Sequence, residues 1–322
     1  MSREHERVTV LNHTGFPAPD EVAATGVTVI EVSRDPDSPP PPEVTGEILW
    51  TRTDGGPHLL DLLGRGVRWV HTLGTGVDEF PLDALGDDQV LTCARGASGV
   101  PIAEWVVAHL LAAAKGLPEV WLHEAPGSWT TDVRVGGLTG ATVVIVGAGG
   151  IGTEIVRRLL PFGCRLVVVR RRPVPLELDT PGVDSVRVTT DLGAVVGEAD
   201  HLVLAAPATP ATHHLVDADL LARARDGLHL VNVARGALVD QEALRAALDT
   251  GRVGLASLDT VEPEPLPAGH WLYTHPRVRL SPHVSWLGPG AVTAVVATFV
   301  DNLHRWLQGR PLVGVVDRTR RY

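Results

Sequence analysis

Ala141-Thr142-Val143-Val144-Ile145-Val146-Gly147-Ala148-Gly149-Gly150-Ile151-Gly152 joins an apolar, β-branched run to a G-x-G-x-x-G turn. Such a run reads as a strand buried inside a parallel sheet. Thr153 to Leu160 follows, with Ile155, Val156, Leu159 and Leu160 at helical spacing, so the glycines stand where a strand hands over to a helix. Each has its own task there. Gly147 permits the tight turn, Gly149 lets backbone approach a pyrophosphate, and Gly152 lets the helix pack closely on the strand. Gly150 and Ile151 open the helix, whose first N–H groups face the anion. A bare glycine pattern is weak in a chain with 34 glycines. The strand before it and the helix after it are what point to a dinucleotide.

Working outward, strand-like runs alternate with helix-like ones along the whole chain, the pattern of parallel α/β sheets. Before the glycine turn the strands read 7–12, 27–32, 47–51, 68–73 and 89–93, with helices near 20–25 and 57–63. From Gly140 onward they read 142–146, 166–169, 185–188, 201–205, 228–233 and 254–258, six strands that fit a doubly wound sheet. Asp240 caps a helix that Gly251 ends. The tail helix, Gly290 to Gln308, aligns Val292, Val295, Val296, Phe299, Leu303, Trp306 and Leu307 on one face, ahead of Gly309 and Pro311. It has no strand partner in the second block, so it is expected to return to the first. The expectation is therefore two parallel-sheet domains, Rossmann-like and flavodoxin-like. The cofactor domain (98–286) is inserted in a discontinuous substrate domain (1–97 and 287–322).

With 322 residues, 44% hydrophobic and 20% charged, the chain has the balance of a globular protein that can bury two cores. A net charge of -10 and scattered basic residues argue against a nucleic-acid partner. Met1 to Arg7 is charged with no apolar segment behind it, and the apolar stretch Val100 to Ala114 is broken by Glu104 and His109. Neither secretion nor a membrane is expected, and the location is expected to be cytoplasmic. Cys93 and Cys164 lack metal-ligand spacing and read as buried reduced thiols; no metal is expected. Pro39 to Pro42, beside Pro36, reads as an exposed loop.

A helix starts after Ser98, with Pro101 in its first turn and Ile102, Trp105, Val106, His109, Leu110 and Ala113 on one face. Its other face is scarcely more polar, which predicts a helix buried either between domains or against another subunit. Trp121 and Trp129 follow on irregular chain, a composition suited to an interface. A homodimer through 100–129 is therefore expected, with His109 as a satisfied core histidine.

In open α/β sheets ligands gather outside the carboxyl ends of strands. Arg235 stands there in V-N-V-A-R-G, Asp259 and Glu264 in L-D-T-V-E-P-E-P, and His283 in L-S-P-H. At these residues the chain resembles the D-2-hydroxyacid dehydrogenase family, glyoxylate and hydroxypyruvate reductases included. The resemblance extends to Gly74-Thr75-Gly76-Val77-Asp78, Glu104, Gly140, Pro207 with Thr209, Pro210 and Thr212, and Gly236 to Asp240. It implies Arg235, Glu264 and His283 as the active-site arginine, glutamate and histidine. By the same resemblance Pro207, Thr212, Val233 and Ala234 line the cofactor, and Asp259 meets the nicotinamide carboxamide.

The chemistry asks for those residue types. Interconverting a 2-oxo and a 2-hydroxy acid moves a hydride and a proton, and His283 carries the proton. Glu264, ionised beside it, favours the imidazolium and fixes the ring. Arg235 clamps the substrate carboxylate and polarises the carbonyl, work for a planar fork. The backbone N–H groups of Gly74, Thr75 and Gly76 resemble an anion-binding nest for that carboxylate.

One departure bears on the cofactor. Where an NAD enzyme carries Asp or Glu for the ribose, about 20 residues past the glycines, Arg170-Arg171-Arg172 follows the second strand. Arginine there grips a 2'-phosphate, so NADP(H) is expected over NAD(H), with Arg170 or Arg171 as the contact. The family reading is an NADPH-preferring reductase of glyoxylate, hydroxypyruvate or pyruvate. Phosphoglycerate- and phosphite-type dehydrogenases and a cofactor-sensing corepressor share the pattern. Glu264 speaks against the formate branch. Trp286 either walls the pocket or packs between domains.

Overall fold

The computed structural model describes residues 7–117, 119–122, 124–125, 127–129 and 135–322. Among them the elements run β1 (Thr9–His13), α1 (Asp20–Ala23), β2 (Thr28–Glu31), β3 (Ile48–Thr51), α2 (Leu59–Leu63), β4 (Trp69–Thr72), β5 (Val90–Cys93) and α3 (Gly99–Lys115). They continue with β6 (Thr142–Val146), α4 (Gly150–Leu159), β7 (Arg165–Val169), β8 (Arg187–Thr189), β9 (His201–Leu204), α5 (Ala218–Arg223), β10 (Leu228–Asn232), α6 (Gln241–Thr250), β11 (Val253–Leu258), β12 (Val278–Leu280) and α7 (Ala291–Leu307). The chain divides into two compact units, Met1–Ser98 with Pro289–Tyr322, and Gly99–Gly288. No helix among the described residues is long and apolar enough to cross a membrane.

The first unit is a parallel five-stranded sheet in the order β2-β1-β3-β4-β5. On one side Leu11, Leu49, Val70 and Leu91 pack under Leu59, Leu62 and Phe80. On the other, Phe299 and Leu303 of α7 close over Val10, Ile48, Trp50 and Trp69. Phe299 stacks on Trp50 with ring centroids 4.4 Å apart. Not all of the tail's apolar stripe is covered: Val292 and Leu307 are exposed.

The second unit carries a parallel seven-stranded sheet, β12-β11-β10-β9-β6-β7-β8. β12, only three residues long, is the short strand expected just ahead of His283 and completes the sheet beyond the six longer runs. β8 is Arg187–Thr189, later than expected, because Val183–Ser185 forms a 3-10 turn. α3, α4 and β6 share one core through Ile102, Val106, Leu110, Ile145, Ile155 and Leu159. Within this chain α3 buries Gly99, Ile102, Ala103, Val106 and Leu110 and leaves its other face open. Cys164 likewise corrects the expectation of two buried thiols: it is partly exposed, while Cys93 is buried, and both are free.

Buried histidines give the fold an acid weakness. Burial, with the charge of Arg34, lowers His13 to about 4; burial lowers His71 to about 3, and burial with the nearby His201 and His109 lowers His229 to about 3. His71 Nδ1 meets Thr92 Oγ1 at 2.7 Å, and His229 lies between His201 Nδ1 (3.1 Å) and Ser257 Oγ (3.0 Å). A histidine with a depressed folded value stays neutral while the unfolded chain takes up a proton below about 6.5. Stability is therefore whole above that pH and falls as the medium is acidified towards the folded values, by about 2 kcal/mol per histidine at pH 5. Calorimetry should show Tm dropping steeply from pH 6.5 to pH 5, less so in His71→Asn. A Tm flat across that window contradicts this.

Candidate active site

Sheet order places β10, β11 and β12 side by side and parallel, so the chain leaving each carboxyl end arrives in one place. Arg235 follows β10, Glu264 follows β11 and His283 follows β12. Asn232, the last residue of β10, accepts from the Ala234 N–H at 3.0 Å and donates to the Arg235 carbonyl at 2.9 Å, fixing the turn that carries the guanidinium. Arg235 Nη1 also donates to Ala234 O at 2.8 Å. The next residue must be glycine: a Cβ on Gly236 would lie 2.0 Å from the Val261 carbonyl carbon. That close approach brings the β10 and β11 loops together.

Glu264 is held from two sides. Its Oε1 accepts from the Val261 N–H at 3.0 Å, and its Oε2 pairs with His283 Nδ1 at 2.8 Å. Partial burial would raise its carboxyl. The hydrogen bonds from His283 and Val261, with the charges of His283 and Arg235, outweigh this and hold it below the usual range. The carboxylate is thus ionised at neutral pH, and the charge of Arg235 reaches it.

His283 adopts a left-handed backbone, φ 54°, uncommon for a residue with a Cβ. Asp259 supplies the reason. Its carbonyl accepts from the His283 N–H at 2.9 Å, and its carboxylate accepts from Ser281 Oγ (2.5 Å), the Val284 N–H (2.9 Å) and the Ser285 N–H (2.9 Å). Asp259 is 1% exposed, so this knot is shielded from water. The Trp286 indole donates to the His283 carbonyl at 3.1 Å. The motif marked Asp259 as a cofactor contact; its hold on the histidine loop was invisible in sequence, since the partners lie 22 to 26 residues away.

At the same sheet edge the glycine turn follows β6. Gly147 has φ 106°, and a Cβ on it would lie 2.5 Å from Ala205 O; one on Gly152 would lie 2.1 Å from Gly147 O. Gly149 is different. Its chain neighbours apart, no protein atom lies within 4 Å of where its Cβ would be, so packing does not demand glycine there and the open space leaves room for a ligand to approach the backbone. With Gly150 and Ile151 opening α4 beside it, the turn fits a dinucleotide pyrophosphate.

Arg170 follows β7 directly, its N–H bonded to Thr189 O and its Nη1 3.4 Å from Val174 O; Arg171 and Arg172 are exposed. Pro207 and Thr212 belong to one knotted loop after β9, where Thr212 Oγ1 donates to Pro207 O at 2.7 Å. Val233 and Ala234 are buried after β10. His109 bonds Trp105 O through Nδ1 at 2.8 Å and is held low by burial. Gly74, Thr75 and Gly76 belong to the first unit, after β4, where Thr75 Oγ1 donates to Ala94 O at 3.0 Å.

A pyrophosphate-binding turn and a carboxylate-paired histidine at one sheet edge define a nicotinamide-dependent oxidoreductase. Residues 107–285 match the model of the D-isomer specific 2-hydroxyacid dehydrogenase NAD binding domain. Human glyoxylate reductase/hydroxypyruvate reductase is 32% identical over 267 residues, 79% of this chain and 78% of that protein. A D-isomer specific 2-hydroxyacid dehydrogenase from Xanthobacter autotrophicus Py2, solved with NADPH and MES, superposes with a TM-score of 0.83 at 25% identity, covering 98% of this chain and 100% of that one. The NADPH-dependent glyoxylate/hydroxypyruvate reductase of Sinorhizobium meliloti, solved with NADP and malonate, gives 0.75 at 25% identity, with 98% of both chains covered. The chain belongs to the D-isomer specific 2-hydroxyacid dehydrogenase family. It is an NAD(P)-dependent enzyme that reduces 2-oxo acids.

Proposed function

We propose that this enzyme prefers NADPH and reduces a small 2-oxo acid, of the glyoxylate, hydroxypyruvate or pyruvate type, to the D-2-hydroxy acid. When bound, the reduced nicotinamide supplies a hydride to the carbonyl carbon. His283, its Nδ1 taken by Glu264, delivers a proton from Nε2 to the carbonyl oxygen, and in the reverse direction accepts it. Glu264 keeps the ring oriented through its contact with Nδ1. Arg235 binds the substrate carboxylate and draws electron density from the carbonyl. The contact that carries this reading is the 2.8 Å pair between His283 and an ionised Glu264. Asp259 is proposed for the carboxamide as well as for seating His283, and Pro207, Thr212, Val233 and Ala234 for lining the cofactor.

The coenzyme preference rests on Arg170 and Arg171 at the end of β7, where a carboxylate would repel a 2'-phosphate. Comparing kcat/KM for NADPH and NADH over small 2-oxo acids tests it. NADPH is expected to be favoured, and Arg170→Ala or Arg171→Ala to erode that advantage by about tenfold or more, the 1.5–3 kcal/mol of a charge-assisted bond. Equal efficiencies, or an advantage that survives both changes, overturn it.

The protein is also proposed to work as a homodimer through 100–129. The half-covered α3 supports this, with Trp121 and Trp129 57% and 85% exposed beside exposed Val100 and Leu122. Residues 118, 123 and 126 of that segment lie outside the described ones. Light scattering should give twice the 34.2 kDa chain mass; a monomer at working concentration contradicts it.

A further inference from the structure

His213, His214 and Glu262 each bring one ligand atom to within 4.8 Å of the others, on an exposed surface beside the loops just described. We propose that they form a binding site for a divalent transition-metal ion of zinc-like preference, which clamps the loop after β9 to the loop after β11.

His213 and His214 lie in a turn, His214 with φ 49°, which puts both rings on one side with centroids 4.0 Å apart and planes 24° from parallel. Both side chains are exposed, so each ring can turn to aim an in-plane nitrogen at a shared ion. The backbone behind them is fixed, His213 N–H donating to Thr209 O at 3.0 Å and His214 N–H to Ala237 O at 2.8 Å. Across the gap, Gln241 Nε2 donates to the Glu262 carbonyl. The glycine contact at Gly236 holds the 261–262 backbone against the β10 loop. Both sides of the site are therefore anchored to the segment between them.

Two imidazole nitrogens and one carboxylate oxygen form a three-ligand set that suits zinc, with water completing the shell. Magnesium and calcium prefer all-oxygen shells, so two nitrogens select against them. The net charge of -10 draws cations in. Glu262 lies two residues before Glu264, and His213 directly follows Thr212. An ion joining them restrains the two loops proposed to seat the histidine's partner and the cofactor, so filling the site slows turnover. Ion binding itself does not depend on those proposed roles.

The test titrates the chelator-stripped full chain with zinc chloride by calorimetry, alongside Tm and turnover. One zinc per chain is expected, with raised Tm and reduced turnover. His213→Ala, His214→Asn and Glu262→Gln should each weaken binding by about tenfold or more, whereas His304→Ala, at an exposed histidine on α7, should bind as the wild type does. Asparagine is chosen at 214 because it tolerates the left-handed backbone. Unaltered metal-free turnover in the three variants would show that they are folded. Zinc binding that is absent, or equal in all variants, overturns the site. Magnesium binding as tightly overturns the metal class, and binding without slowed turnover overturns the clamp.

Discussion

Replacing His283 with alanine lowers kcat for 2-oxo acid reduction by about 10²–10⁴-fold, the usual worth of a positioned general acid. Cofactor affinity, read by quenching of tryptophan fluorescence, stays within a few-fold, because the glycine turn and α4 are untouched. Glu264 loses its partner but is not stranded, since it keeps the Val261 N–H and is part exposed. Alanine at φ 54° adds local strain, so His283→Asn is the companion variant: it accepts that backbone and carries no transferable proton. Both variants should be equally slow. If either keeps wild-type turnover, the proton comes from elsewhere.

Arg235→Ala is expected to cut kcat/KM by roughly 30-fold to several thousand-fold, the 2–5 kcal/mol lost when one partner of a buried charge pair is removed. Arg235→Lys should recover only part of this, since an ammonium cannot reproduce two parallel bonds to a carboxylate. Initial rates over a range of substrate concentrations decide it. Full recovery by lysine, or an alanine variant within a few-fold of wild type, would remove the carboxylate clamp from Arg235.

Much of the fold could be read from sequence because the second unit is regular. β6 falls on Thr142–Val146 as read, since five β-branched residues in a row favour extended chain over helix. Asp240 and Gly251 bracket α6 as their capping chemistry requires. What could not be read has physical causes. β8 begins at Arg187 rather than at Ser185, because Val183–Ser185 closes into a 3-10 turn that the apolar pattern does not record. Val292 shares a helical face with Phe299 yet stays in water, because periodicity fixes direction and not the extent of the cover. At the site, Arg235, Glu264 and His283 were legible because each follows a strand within a spaced motif. The knot that Asp259 ties around His283, and the approach of His213 and His214 to Glu262, depend on loops meeting across the sheet edge, which no local pattern records.

The claim that joins these observations is that His283 and Glu264 act as one proton-carrying unit. Initial rates of reduction for the wild type and Glu264→Gln test it most directly. Glu264 is held below the usual carboxylate range, so it is ionised at neutral pH, and its Oε2 meets His283 Nδ1 at 2.8 Å. Replacing the carboxylate by an amide removes the charge that fixes the ring and should lower kcat by about tenfold or more, with cofactor affinity little changed. A Glu264→Gln variant that turns over as fast as the wild type contradicts the account.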